Sequence, residues 1–499
     1  MWFQADARTA AWRQIYQCLA DRPALVLLIA GVLRLALGWG QDGINLDSST
    51  YAVIARNMAD EGRWFNPTYT AYYHTHFAEH PPLVMWAQAI LFLLLGADDS
   101  TARLFGALCT LGCILLVYKL AKDVAGRWFG WLSGLTLLLT HNFVQIGDST
   151  LLDVPMTFFI LLTLWAMVGA SRGSNCLWWF IITGLGLGGA YLTKGVVSGP
   201  IWLSVAATVI IWRRDWLRKP GFWLGMLVAA GLIGLHLLAD YLATGGHFAR
   251  HYFLTQVWRR FVGGGPEIHT DWYEFTYRFA KLYLPFVLLL PVGVYLTLKR
   301  RINLLYPTLI TLFFYFVFYT SAAKLYYHYF SPAYALAAPF VALPIAAWLN
   351  ESRVRRISVR FLVIWVAVAA GVTIAGVRIH HIRCPEMYTL TSSMNSLLRV
   401  HPHRHGLTVG EGEPKWEYVA KAAWYWRSDL LKVGELDKAM GLLKTDPRYA
   451  YLMISNDFSV TEDVLQDAGF EKYTANDRVA VYVPAESREV GEGGPRSPR

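Results

Sequence analysis

The feature that most constrains this chain is a series of long, nearly uninterrupted apolar runs, too many and too long for a water-soluble core. A hydrocarbon layer about 30 Å thick needs about 20 mostly apolar residues per helical crossing. Runs of that kind lie near 22–40, 101–121, 128–146, 152–170, 176–193, 196–212, 221–239, 279–298, 304–321, 330–349 and 360–379, which predicts eleven spans. A further run, Leu83 to Gly96, follows Pro81-Pro82 and is shorter than a span, as expected of an interfacial or re-entrant helix. Only 16% of the 499 residues are charged, against 55% apolar or aromatic, so a soluble enzyme is excluded.

Charge orients the bundle. The net charge of +10 could in principle mark a nucleic-acid binder. Alternating the eleven spans, however, puts on one side 18 bases: Arg8, Arg13, Arg22, Lys119, Lys122, Arg127, Arg172, Arg213, Arg214, Arg218, Lys219, Lys299 to Arg301, Arg353, Arg355, Arg356 and Arg360. Five acids accompany them: Asp6, Asp21, Asp123, Asp215 and Glu351. Bases near span ends collect on the cytoplasmic side. The reading is therefore N-terminus in and C-terminus out, with the excess charge setting topology and no nucleic-acid partner. Arg34 interrupts the first apolar run and no small-x-small site follows it, which favours an uncleaved span over a signal peptide. The five cysteines form no spacing framework, and no internal repeat is visible.

The outer segment 41–100 carries seven acids against Arg56 and Arg63. Within it, Tyr51, Ile54, Ala55 and Met58 fall on one helical face, which predicts a short amphipathic helix capped by Asp47 and closed by Gly62. Asp153 stands two residues before Pro155, again in the pattern of a cap. On spacing alone, helix capping and a chemical role are equally open for these acids. Cations gather on the same face at span ends: His80, Lys194, Lys324, Arg250, Arg259 and Arg260. Cations beside carboxylates at a lipid interface suit transfer of a group from a lipid phosphate, the cations holding the phosphate and a carboxylate orienting the acceptor. A transporter or lipid-linked-sugar flippase is the alternative; it would need ionisable groups near mid-membrane, of which the spans offer few. A membrane scaffold is a third reading and leaves the outer cations without a purpose.

The order of motifs resembles the bacterial GT-C glycosyltransferases, in the branch of protein O-mannosyltransferases and lipid A aminoarabinose transferase. It comprises an Asp in the first outer segment, Glu79-His80-Pro81-Pro82-Leu83, Asp153 before the fourth span, Leu192-Thr193-Lys194-Gly195, and Lys324 followed by His328-Tyr329 and Pro332. The resemblance covers about residues 20–380. It implies a mainly α, polytopic GT-C bundle of about eleven transmembrane helices with interfacial helices in the first outer loop. It also implies an inverting transfer of a sugar from a polyprenyl-phosphate donor to lipid A, glycan or protein outside the cytoplasm, in the inner membrane. Asp47 then matches the family's catalytic carboxylate and Asp153 its second important Asp, so both are implied to be catalytic, with Asp148 a substitute for the second. Ser48 stands where the family has Glu, and His80 where it has a phosphate-binding Lys. His80, Lys194, Arg260, Lys324, Tyr327 and His328 are implied to hold donor phosphate or lipid, with Glu79 supporting. Some relatives place a metal-binding His three residues before the Arg; here Val257 stands there, leaving Glu79 as the one candidate ligand and no cofactor implied with certainty.

Beyond about Cys384 the composition becomes that of a soluble domain. Strands are expected at 407–409, 449–454 and 478–483 and helices at 417–426 and 460–468, giving a small α/β outer domain. The division expected is a membrane domain 1–383, the outer domain 384–484 and a disordered tail 485–499. His401, His403 and His405 alternate with Pro and Arg, a weak metal pattern.

Overall fold

The computed structural model describes residues 21–37, 44–173, 176–258, 271, 273–320, 325–349, 389–401, 404–410, 415–455, 462–476 and 478–485, with isolated positions between 353 and 387. In chain order its helices are α1 (Pro23–Ala36), α2 (Leu46–Glu61), α3 (Leu83–Leu95), α4 (Asp99–Ala125), α5 (Arg127–Leu139), α6 (His141–Gly147), α7 (Asp153–Arg172), α8 (Cys176–Lys194), α9 (Gly199–Ile211), α10 (Pro220–Thr244), α11 (His247–His251), α12 (Glu274–Leu282), α13 (Leu290–Lys299), α14 (Tyr306–Thr320), α15 (Ser331–Trp348) and α16 (Thr391–Val400). The last part of the chain alternates β1 (His405–Val409), α17 (Trp416–Lys421), β2 (Leu430–Val433), α18 (Leu436–Thr445), β3 (Tyr449–Ser455), α19 (Glu462–Asp467), β4 (Phe470–Ala475) and β5 (Val479–Pro484). Two compact units result, one of residues 1–41 and 78–380, the other of 42–77 and 381–499.

The first unit is a polytopic helical bundle. Among the described residues six stretches are long and apolar enough to cross a membrane: Asp99–Ala125, Asp153–Arg172, Cys176–Ile211, Pro220–Thr244, Asn303–Thr320 and Tyr327–Trp348. A seventh arises if Glu274–Leu282 and Phe286–Lys299, bent by 114° across Pro285, cross together. The count of eleven is not reached for local reasons. The helix α1 has 14 residues, the run 128–146 breaks at Thr140, Cys176–Ile211 forms one stretch with a kink, and 360–379 lies largely outside the described residues. As expected, α3 is too short to span; Ile90, Leu93, Leu94 and Leu95 on it are all at least half exposed.

Close helix approach rests on glycine. A side chain at Gly184 of α8 would collide with the backbone of Gly225 on α10, and one at Gly225 with the backbone of Phe180, so the two helices cross at their smallest residues. On α4, Gly106 faces the Ser149 carbonyl, and Gly147 lies against Thr110, which presses the 147–152 loop onto α4. The far ends of α4 and α7 are tied by Arg172 to Asp123 at 3.3 Å and by Trp165 Nε1 donating to Asp123 at 2.9 Å. Asp153 begins α7, so it lies about 30 Å from that tie along a helix of 20 residues.

In the second unit a five-stranded mixed sheet has the order β2-β1-β3-β5-β4. β1 runs parallel to β2 and β3, and β5 antiparallel to β3 and β4. The sequence Tyr-Ala-Tyr-Leu-Met-Ile of β3 is apolar at almost every position and buried on both faces, as a central strand must be. The outer-loop residues belong to this unit: α2 packs on α17, Ala71 N donates to Asp429 Oδ2 at 2.9 Å, and Lys432 N on the edge strand β2 donates to Tyr73 Oη at 3.0 Å. Strands β2 and β4 and helix α18 were not expected from the sequence.

Introducing a branched side chain at the helix crossing, Gly225→Val, should lower the thermal unfolding midpoint of the detergent-solubilised protein, through overpacking of about 1–3 kcal/mol or more. Gly234→Val, on the same helix with open space around it, should leave the midpoint nearly unchanged.

Candidate functional site

A buried ionic group forms where three elements of the membrane unit meet. α7 opens on Asp153, α8 ends on Lys194, and the 3₁₀ turn Tyr327–Phe330 leads into α15 with His328. Lys194 Nζ donates to Asp153 Oδ1 at 2.6 Å, with side-chain exposures of 6% and 2%. His328 Nε2 lies 3.9 Å from the second carboxylate oxygen, and the ammonium sits 4.7 Å from the Tyr329 ring centroid. A charge this deeply buried survives only with a partner, because desolvating either ion alone costs several kcal/mol.

Local sequence explains how Lys194 reaches this place. Gly195 adopts φ +63°, a left-handed conformation that ends α8 and would be strained for any side chain. A Cβ there would also overlap the Tyr252 hydroxyl, which accepts from Val196 N at 2.7 Å. The Leu-Thr-Lys-Gly step is thus a helix stop that fixes the ammonium toward α7. On the turn before α15, Ser331 Oγ donates to the His328 carbonyl at 2.8 Å. Tyr327 is partly exposed beside His328, with ring centroids 5.4 Å apart.

The two expected caps are corrected. Residue Leu152 precedes α7 without a side-chain cap, and the Asp153 carboxylate is engaged by Lys194 rather than by backbone N–H groups. For α2 the cap is Asn45, whose Oδ1 accepts from Ser48 N at 2.9 Å, while Asp47 stands in the first turn. Gly62 does close α2, at φ +70°. An acid in a helix's first turn is stabilised as a carboxylate by the N-terminal dipole, which favours orienting a partner over strong proton abstraction.

Asp148 is buried on the loop below α7 and acts electrostatically on Arg34 of α1, whose Nη2 lies 3.4 Å from His141 Nδ1. Arg34, His141 and Tyr329 are the polar residues that the sequence did not single out as site components; the interruption of an apolar run by Arg34 was their one visible signal. Glu79 and His80 are half-buried and precede α3, next to Ala78, which packs with Phe248 and Tyr252. Arg260 and Lys324 lie outside the described residues. Val257 packs against that same apolar cluster, so the position does not fit a metal ligand. Among the described residues no group of three or more His, Cys, Asp or Glu comes together to hold an ion.

Comparison with known proteins gives these features a context. The family model for dolichyl-phosphate-mannose-protein mannosyltransferase matches residues 79–238. The undecaprenyl phosphate-alpha-4-amino-4-deoxy-L-arabinose arabinosyl transferase of Shewanella sediminis is 27% identical over 317 residues, covering 62% of this chain and 57% of that protein. The chain thus spans little more than half the length of that curated relative. Among solved structures, ArnT from Cupriavidus metallidurans superimposes in its apo state with a TM-score of 0.69 and 17% identity, covering 98% of this chain and 100% of that one. Its structure bound to undecaprenyl phosphate gives 0.70 and 17%, over 97% and 99% of the two chains.

Replacing one partner of the buried pair should be worse than replacing both. Lys194→Met removes the cation hydrogen-bonded to the buried carboxylate and should destabilise the folded protein by about 3–5 kcal/mol. Adding Asp153→Asn to that variant should restore more than half of the lost thermal stability, read as the unfolding midpoint in detergent.

Proposed function

We propose that the chain is a GT-C membrane glycosyltransferase, an inverting enzyme that moves a sugar from a polyprenyl-phosphate donor to an acceptor outside the cytoplasm; the family-model match over residues 79–238 and the ArnT-like fold support this reading. The observation that carries the reading is the Asp153, Lys194 and His328 group, a cationic and acidic set buried at the ends of helices in a fold of this kind.

In the reaction, an acceptor oxygen forms a bond to the anomeric carbon as the bond from that carbon to the phosphate oxygen breaks. The electron pair leaves with the polyprenyl phosphate, and one displacement inverts the centre. Negative charge therefore grows on the leaving phosphate, where fixed cations are worth most in surroundings of low dielectric. Lys194 and His328, with His80, Arg260, Lys324 and Tyr327, are assigned to the phosphate and its lipid. The Asp153 carboxylate holds the Lys194 ammonium in place, and Asp148 is left to the Arg34 group. Asp47 orients the acceptor: its carboxylate accepts the hydrogen bond of a hydroxyl and receives the proton only as the new bond to the anomeric carbon forms, whereas an acceptor phosphate arrives ionised and needs only positioning. Glu79 supports the His80 step. Lipid A, a glycan and a protein are the acceptor classes that this chemistry admits.

The site and the C-terminal unit are placed on the periplasmic side of the inner membrane, because the basic loops fall at the opposite span ends. In intact cells a membrane-impermeant thiol reagent should label Cys384 and spare Cys18; the reverse pattern would overturn this orientation. For the activity, mass spectrometry of envelope lipids and glycans should reveal a sugar modification that is present with the wild-type chain and reduced at least tenfold with Asp47→Asn. Undiminished modification by a folded Asp47→Asn protein would refute its role.

A further inference from the structure

Residues 42–77 of the first outer segment and the C-terminal α/β part, more than 300 residues apart in sequence, form one compact unit, in which α2 is held at its entry and near its other end by one short helical turn. We infer that the C-terminal part positions the Asp47 helix, with Tyr425 and Arg56 as the positioning residues. The inference rests on the reading above that Asp47 orients the acceptor.

At the entry to α2, Ile44 N donates to Tyr425 Oη at 3.0 Å, one residue before the Asn45 cap and three before Asp47. Toward its other end, the Arg56 guanidinium donates to the carbonyls of Ala423 at 3.0 Å and Trp424 at 3.2 Å and lies 5.7 Å from the Trp424 ring centroid. Both ends thus close on the π-helical turn Ala422–Trp426, whose last carbonyls, at the end of the helix, are open to an outside donor. Burial pulls the Arg56 guanidinium down to about 10, which still leaves it charged at neutral pH, so both hydrogen bonds are charge-assisted.

The turn is itself anchored to the sheet. Arg427 ends it at φ +51°, Trp426 is buried 6.1 Å from the Tyr451 ring on the central strand β3, and its Nε1 donates to the Met387 carbonyl at 3.2 Å. Tyr451 Oη and Ser428 Oγ are 3.0 Å apart, and Ser428 Oγ donates to the Arg404 carbonyl at 3.1 Å. A continuous path of buried contacts therefore runs from β3 through the π turn to the start of α2. A surface domain that merely packed nearby would not require a buried arginine and an aromatic hydroxyl directed at both ends of one 16-residue helix.

The test uses the full chain in detergent, with a polyprenyl-phosphate sugar donor. Tyr425→Phe removes one acceptor and should lower kcat about 2- to 10-fold, the worth of a single hydrogen bond, with donor KM unchanged. Arg56→Met should lower kcat further, and Arg56→Lys should recover part of it. The decisive readout is coupling: Asp47→Asn/Tyr425→Phe should be no slower than Asp47→Asn alone. Hydrogen exchange of the amides at 48–50 should quicken in Tyr425→Phe and supplies a readout independent of turnover. Wild-type kcat in Tyr425→Phe, a loss that multiplies with Asp47→Asn, or unchanged exchange at 48–50 would overturn the inference. An Asp47→Asn protein as active as wild type would instead refute the functional reading beneath it.

Discussion

The membrane unit depends on a buried ion pair, Lys194 with Asp153 at 2.6 Å. Neither charge could remain in a low-dielectric bundle alone, so the three elements that bring them and His328 together must hold their places to within a fraction of an ångström. Much of the surrounding sequence serves that requirement. Gly195 turns the chain at the end of α8, Tyr252 takes the Val196 N–H, and Gly106 and Gly147 let the loop before α7 lie against α4. A pair held this way is preorganised: its geometry is fixed before any charge develops beside it.

The second unit solves a different problem. A short amphipathic helix such as α2 is marginal alone in water, since nucleation costs more than a few turns return. Its stability comes from the α/β part, through Arg56, Tyr425 and the π turn. The outer loop and the C-terminal residues are thus one folding problem despite their separation along the chain. The expected division at residue 383 follows the composition change, whereas the compact units assign residues 42–77 to the C-terminal side.

What could be read in advance follows from which forces act locally. Lipid solvation imposes a run length on every span, so the helical bundle and the short α3 were visible in the sequence. Lys194 and Asp153 could be nominated separately, but their pairing across 41 positions had no local signal. Asp47 fits the sequence pattern of a cap because acids favour that position, yet Asn45 two residues earlier occupies it. In the outer domain, β3 announced itself as a continuous apolar run. By contrast, β2 has four residues and β4 carries Glu471, Lys472 and Thr474, so neither has a hydrophobic period long enough to register.

The central claim is that this chain breaks a sugar–phosphate bond rather than carrying an intact lipid-linked sugar across the membrane. The most direct measurement is to reconstitute the purified protein in vesicles containing a polyprenyl-phosphate sugar and an acceptor, and to follow the donor by mass spectrometry. The account predicts release of free polyprenyl phosphate matched one to one by a glycosylated acceptor of inverted anomeric configuration. Movement of the uncleaved donor between leaflets, with no polyprenyl phosphate released, would contradict it.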